Sequence, residues 1–288
     1  MTRKFVWRLQ VRTYELDGFG HVNNAMYARY LEEAATRASA DAGYAFDWYR
    51  AHGTVWVVRK LQLRFYAPAF YGDELEITTW VADFKRVQSQ RDYEVRRVRD
   101  GQLLVRARAN WVYVDRESQR PIRIPEEMRA AFDPAGEAPD LEVRLRHARQ
   151  LDGAHTYHHR RVVQRYELDS LGHVNHTVYL NWIEQAAFEA MREAGYSPAR
   201  TVAEGFYILN GGHEIEYFQS AKDGDPVDIA STPYELGGVR GAWLQEVRHA
   251  ETGELMARDY NIGVFLSLDG RPTRPSERLI ACLVAGAG

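Results

Sequence analysis

The 288-residue chain has one cysteine, Cys282, so it can form no internal disulfide and no cysteine-based zinc cluster. That fits a reducing compartment. It has little net charge, −3 at pH 7, and so lacks the basic excess by which nucleic-acid binders hold phosphates. It has no long apolar run. The first residues, "MTRKFVWRLQVRTYELD", are basic at the outset and then alternate like a strand, which reads as neither a signal peptide nor a membrane span. These absences lead us to expect a soluble cytoplasmic protein. What is present is apolar content of 45%, enough for one large core or two ordinary ones.

The stretch "YELDGFGHVNNAMYARYLEEAA" from Tyr14 recurs from Tyr166 as "YELDSLGHVNHTVYLNWIEQAA". One offset, 152 residues, pairs Asp17 with Asp169, Gly20 with Gly172, His21 with His173, Asn23 with Asn175, Tyr27 with Tyr179 and Glu32 with Glu184. It still holds at Gly72-Asp73 with Gly224-Asp225 and at Glu94-Val95-Arg96 with Glu246-Val247-Arg248. A constant offset this long marks a duplicated domain, because solenoid repeats have periods of roughly 20–50 residues.

Each copy predicts the order β-α-β-β-β-β. A strand ("FVWRLQVRTYEL", "RRVVQRYEL") leads into an Asp- and Gly-containing loop. A helix follows, with Tyr27, Tyr30, Leu31, Ala34, Ala35, Ala38 and Ala42 on one face and Arg29, Glu33 and Arg37 largely off it. Asn23 and Asn175 are placed to cap the helices. Four β-rich runs come next, with Asp100-Gly101 and Thr252-Gly253 as hairpin signals between the last two. The fold class expected is α+β, an antiparallel sheet burying one face on one helix. The domain boundaries expected are 1–133 and 156–288, with a connector at 134–155. "PEEMRAAF" reads as a short helix with Pro125 at its first position.

With these residues in view, the chain resembles the hot-dog-fold thioesterases of the 4-hydroxybenzoyl-CoA thioesterase and acyl-ACP thioesterase kind. The resemblance rests on Asp-x-x-Gly-His-Val-Asn before the helix and Tyr-x-x-aromatic-x-Glu on it, in both copies. It implies a tandem double hot-dog, each copy a long helix wrapped by an antiparallel sheet, the two joined as a pseudo-dimer. A lone sheet edge is otherwise left to be covered or paired. Further homo-oligomerisation stays open. It implies hydrolysis of acyl-CoA or acyl-ACP thioesters, with no metal and no organic cofactor, and no nucleic-acid partner. Asp17 and Asp169 match the family's catalytic aspartate, as base for water or as nucleophile. The backbone N–H of Asn24, and of His176 in the second copy, matches its oxyanion donor, where a helix N-terminus favours negative charge. His21 and His173 match the histidine of the acyl-ACP branch. Gly20, Gly172, Asn23, Asn175, Glu32 and Glu184 fall around the same site, with the first two needed for backbone conformation or close approach.

That branch also carries an Asn between the Asp and the His. Here the position is Phe19 or Leu171, so the Asp-centred reading is the better supported. Alternatives within reach are a hot-dog dehydratase or hydratase, against which the Asp-to-His spacing speaks, and a non-catalytic thioester-binding module. Residues 1–152 carry 25 basic and 22 acidic side chains, against 12 and 18 in residues 153–288. The excess includes Arg86, Arg91, Arg96, Arg97, Arg99, Arg106 and Arg108, which suit either a landing surface for phosphates or an acidic carrier protein, or a solvated strand face. His155, His158 and His159 lie close together, but in a connector with no evident carboxylate partner. Trp56, Phe65, Tyr66 and Trp111 suit an acyl tunnel or plain core packing. Gly211 and Gly212 suggest a bulge or close backbone approach in the second copy. The first copy, with its tandem Asn23-Asn24, is expected to carry most of the turnover.

Overall fold

The computed structural model describes residues 3–134 and 151–285 and divides the chain into two units, Met1–Arg144 and Leu145–Gly288. The division falls inside the expected connector, of which residues 135–150, including Pro139, lie outside the described residues.

Unit 1 runs β1 (Lys4–Gln10), a 3-10 turn (Thr13–Glu15), α1 (Asn24–Asp41), α2 (Phe46–Ala51), β2 (Thr54–Phe65), β3 (Glu74–Phe84), β4 (Gln88–Arg97), β5 (Leu103–Asp115) and α3 (Glu126–Phe132). Its strands lie in the order β1-β3-β4-β5-β2, every neighbour antiparallel. The sheet packs on α1 through β3 and β1; α1 buries Tyr27, Ala28, Tyr30, Leu31, Ala34, Ala35 and Ala38, and the strands bury Leu75, Ile77, Val81, Tyr93 and Val95. Each large apolar side chain so buried contributes about 1.5–3 kcal/mol. The small residues on α1 let helix and sheet approach closely.

Unit 2 repeats the plan: β6 (Tyr157–Val162), a 3-10 turn (Arg165–Glu167), α4 (Val178–Glu193), α5 (Pro198–Ala203), β7 (Phe206–Tyr217), β8 (Pro226–Gly237), β9 (Arg240–His249), β10 (Leu255–Ser267) and α6 (Glu277–Ala285). Its order is β7-β10-β9-β8-β6. No helix among the described residues is long and apolar enough to cross a membrane.

Several expectations are corrected. The first strand of each copy stops early, at Gln10 and Val162, because the chain turns into the 3-10 segment. Pro125 caps α3 rather than occupying its first turn. The six-residue helices α2 and α5 were not expected, being too short to display a helical period. The glycine pair does mark a bulge: Ile262 pairs with Gly212 and Gly263 with Asn210, leaving Gly211 unpaired. Yet β2 carries the same bulge 152 residues earlier, at Arg59, between the Val58–Trp111 and Lys60–Asn110 pairs. The bulge therefore belongs to the fold and does not need glycine. Gly211 answers a local crowding instead, since a Cβ there would lie 3.3 Å from Val264 Cγ2 and 3.4 Å from the Ile262 carbonyl.

His158 and His159 sit on β6, not in a connector, and His158 does have a carboxylate partner: its Nδ1 lies 2.8 Å from Asp228 Oδ2. His155 stacks edge-on to Tyr157. Among the described residues no group of three or more His, Cys, Asp or Glu is placed to hold a metal ion.

Candidate active site

In unit 1 the loop between β1 and α1 is organised by two carboxylates. Glu15 is buried, 1% exposed, and accepts from the Arg12 backbone N–H (2.7 Å) and the Arg12 guanidinium (3.0 Å). Its backbone carbonyl takes the Asn23 N–H at 2.9 Å. Asp17 closes the turn: Oδ1 accepts from the N–H groups of Phe19 (2.8 Å) and His21 (3.0 Å), and its own N–H donates to the His21 carbonyl (2.7 Å). Its Oδ2 has no partner among the described residues. The aspartate is thus both turn-former and a half-buried carboxylate with one oxygen to spare.

Gly20 sits at φ +80° and Gly172 at φ +76°, and a Cβ at either would meet nothing within 4 Å. Both glycines are there for the left-handed backbone rather than for close approach. Gly20→Ala is expected to cost about 1–2 kcal/mol, read as a lowered urea midpoint, since the space is open and only the dihedral is strained.

Asn23 caps α1, its Oδ1 accepting from the Ala25 N–H at 2.9 Å. Asn24 is the first helical residue, and no acceptor among the described residues takes its N–H. The His21 ring lies edge-on to Phe70, 5.2 Å between centroids. Tyr27 is the fourth residue of α1, and Tyr179 the second of α4. Burial pushes the Tyr179 hydroxyl up to about 12, and it accepts from the Ala221 N–H at 3.0 Å. Glu32 is half-buried on α1, and Glu184 on α4.

Unit 2 rebuilds this with changes. Asp169 Oδ1 accepts from Leu171 N–H at 2.8 Å and from His173 N–H at 3.4 Å, a looser second bond. Glu167 accepts from Gln164 N–H (2.8 Å), Arg161 Nη2 (2.5 Å) and Trp182 Nε1 (2.9 Å). Asn175 does not cap α4 as expected. Its Oδ1 takes the Thr177 N–H (2.9 Å) and hydroxyl (2.7 Å), and α4 begins only at Val178. His176, the counterpart of Asn24, therefore lies ahead of the helix.

The buried inner faces also diverge. Unit 1 has Leu61, Ala107 and Ala109 where unit 2 has His213, Asp259 and Asn261. There His213 Nδ1 and Asn261 Nδ2 both donate to Asp259 Oδ2, at 2.8 and 2.9 Å. Asn261 Nδ2 also reaches Gln245 Oε1, and Gln245 in turn donates to the Ile183 carbonyl of α4.

The arginine excess of unit 1 is largely spent locally. Arg96 and Arg106 reach Glu94 (3.1 and 3.0 Å), Arg108 reaches Asp92 (2.7 Å), Arg97 reaches Asp100 (2.8 Å) and Arg99 reaches Asp73 (3.5 Å). Arg91 is buried beside Thr79 and Phe132, and burial lowers its pKa. The strand-face reading of these residues is the one their contacts support. Sequence reasoning missed Glu15 and Glu167. The constant offset was the available signal, since it repeats a carboxylate two residues before each aspartate.

Residues 11–132 match the thioesterase-like superfamily and residues 171–256 the thioesterase superfamily. Among curated proteins, the chain is 27% identical to a chloroplastic palmitoyl-acyl carrier protein thioesterase of Arabidopsis thaliana, over 64% of this chain and 47% of that protein. It is 29% identical to the long-chain acyl-CoA thioesterase FadM of Escherichia coli, over 44% of this chain and 95% of that one. It spans about half the length of the plant relatives it matches. Its fold is shared with the 12:0-ACP thioesterase from Umbellularia californica, at a TM-score of 0.72 and 18% identity over 90% of this chain and 93% of that one. An acyl-ACP thioesterase from Bacteroides thetaiotaomicron aligns at 0.70 and 15%, over 90% and 97%. With one superfamily domain matched in each half and a double hot-dog fold around both aspartate loops, the chain belongs to the thioesterase superfamily.

Proposed function

We propose that the protein hydrolyses acyl thioesters of CoA or acyl carrier protein, using Asp17 and Asp169. The observation that carries this is the duplicated turn: an aspartate with one oxygen tied down by backbone N–H groups and the other unengaged, just ahead of a helix entry. The thioester carbonyl oxygen accepts from the Asn24 N–H, where the helix dipole favours the negative charge that develops. The free Asp17 oxygen takes a proton from water as the water oxygen bonds to the carbonyl carbon. Collapse breaks the C–S bond, and the leaving thiolate recovers the proton from the Asp17 carboxyl. Direct attack by the carboxylate, with water then cleaving the anhydride, uses the same two groups. Gly20 and Gly172 shape the turn, Asn23 and Asn175 hold the helix entry, and His21 and His173 border the reacting thioester. Glu32 lines the site from the helix. In unit 2, Asp169 and the His176 N–H take the parts of Asp17 and Asn24.

The test is release of free thiol from a panel of acyl-CoA and acyl-ACP substrates, with Asp17→Asn and Asp169→Asn compared singly. Asp17→Asn is expected to take the larger share of kcat/KM, because its turn is closed by two short bonds and its helix begins directly at the donor. A larger fall for Asp169→Asn would reverse the assignment, and equal halving would mean two equivalent sites.

A further inference from the structure

A buried cation in unit 1 lacks a counter-charge. Arg91 stands on β4 between Val81 of β3 and Ala109 of β5, on the same face as Tyr93 and Val95, and is only 7% exposed. Of its nitrogens only Nη1 has an acceptor, the Thr79 hydroxyl at 3.3 Å, and among the described residues no carboxylate reaches it. The adjacent carboxylate, Asp92, faces the other side of the sheet and is taken by Arg108 at 2.7 Å. Burial works against the charge on Arg91, and the groups that favour it are phenols, of Tyr93 and Tyr49, rather than carboxylates. The guanidinium lies over the Phe132 ring at 5.4 Å, and Phe132 in turn stacks on Tyr44 at 6.1 Å. Trp48 and Tyr49 of α2 pack on the same cluster, yet α2 fully buries none of its residues, so the cluster is only partly closed on that side. The counterpart of Arg91 in unit 2 is Trp243, which packs edge-on to Tyr157, so the fold needs no cation at this position.

We propose that Arg91 anchors a carboxylate-binding site in unit 1: it takes a carboxylate carried on an apolar body, the charge against the guanidinium and the body among the rings of Tyr44, Trp48, Tyr49 and Phe132. The physical reason is that a buried guanidinium is costly unless a partner neutralises it and accepts its hydrogen bonds. A carboxylate offers two oxygens to the guanidinium fork and carries the single charge that one arginine balances, whereas a phosphate dianion needs more than one cation. The site is separate from the aspartate turn. Arg91 pairs with Val81, while the Asp17 loop follows Gln10, which pairs with Glu74 at the opposite end of β3, roughly 20 Å away along the strand. Two sources supply this chemistry, and naming them rests on the hydrolase reading above: the free acid that hydrolysis releases, and a thioester whose acyl chain ends in a second carboxylate.

The experiment is calorimetric titration of the full chain with decanoate, and with decanamide as the neutral control. The wild type is expected to bind decanoate about thirtyfold more tightly than Arg91→Met does, the worth of one hydrogen-bonded charge contact, with decanamide bound alike by both. Arg91→Lys, which keeps the charge without the fork, is expected to fall between them. Equal decanoate affinity in the wild type and Arg91→Met would overturn the proposal. So would a wild type that binds decanamide as well as decanoate, a comparison that decides the matter even if the methionine variant does not fold. The ratio of kcat/KM for the mono-CoA thioester of decanedioic acid to that for decanoyl-CoA separates the two sources. A lower ratio in Arg91→Met places the carboxylate at the far end of the substrate, and an unchanged ratio with decanoate binding lost makes it the free acid. If no thioester is cleaved, the hydrolase reading fails, and the decanoate titration still decides the site.

Discussion

Replacing Asp17 and Asp169 together by asparagine is expected to lower kcat/KM for acyl thioesters by about a thousandfold, or about 4 kcal/mol of transition-state stabilisation. Asparagine keeps the size of the side chain, and its amide oxygen still accepts from the Phe19 and His21 N–H groups that close the first turn. What it removes is the anionic oxygen to which the proposed mechanism gives the proton of water. The loops should keep their shape and the urea midpoint should move little. Measured side by side, thiol release and urea unfolding separate the two roles of the aspartate. Full activity in the double variant would refute an aspartate mechanism, and lost activity with a collapsed midpoint would assign the aspartates to folding alone.

The second large effect is on stability. Glu167→Ala is expected to destabilise unit 2 by about 3–5 kcal/mol, because it strands one partner of a buried ion pair. Glu167 is 6% exposed and serves three donors, from Arg161, Gln164 and the Trp182 indole. Removing it leaves the Arg161 guanidinium over the Trp182 ring, 4.5 Å away, with its carboxylate gone. Glu167→Gln keeps an acceptor and should cost less than the alanine variant. Because the Glu167 backbone carbonyl holds the Asn175 N–H, the loss is also expected to loosen the loop that carries Asp169. Urea unfolding of the three proteins measures the order wild type, glutamine, alanine. Equal midpoints for the wild type and the alanine variant would mean that the buried carboxylate is not what holds this loop.

These two residues illustrate different degrees of legibility. Asp17 and Asp169 stand out in the chain because they repeat inside a motif, and their chemistry can be named from residue type. Glu15 and Glu167 repeat just as faithfully, yet a carboxylate two residues upstream in an apparent strand reads as solvent-facing. Only the fold reveals that it is buried, because burial depends on where α1 and α4 lie.

The duplication, the order of the main elements in each copy, the buried stripe of α1 and the aspartate turn are all legible in the chain of residues. These follow from periodicity and residue chemistry, which are local and additive along the chain. The tertiary structure decided the rest. It shortened the first strands, moved the start of α4 to Val178, spent the arginines of β4 and β5 on neighbouring carboxylates, and placed the bulge at Arg59 as firmly as at Gly211. Each of those outcomes is a competition for partners between residues far apart in sequence, and only the folded geometry brings the competitors within bonding distance.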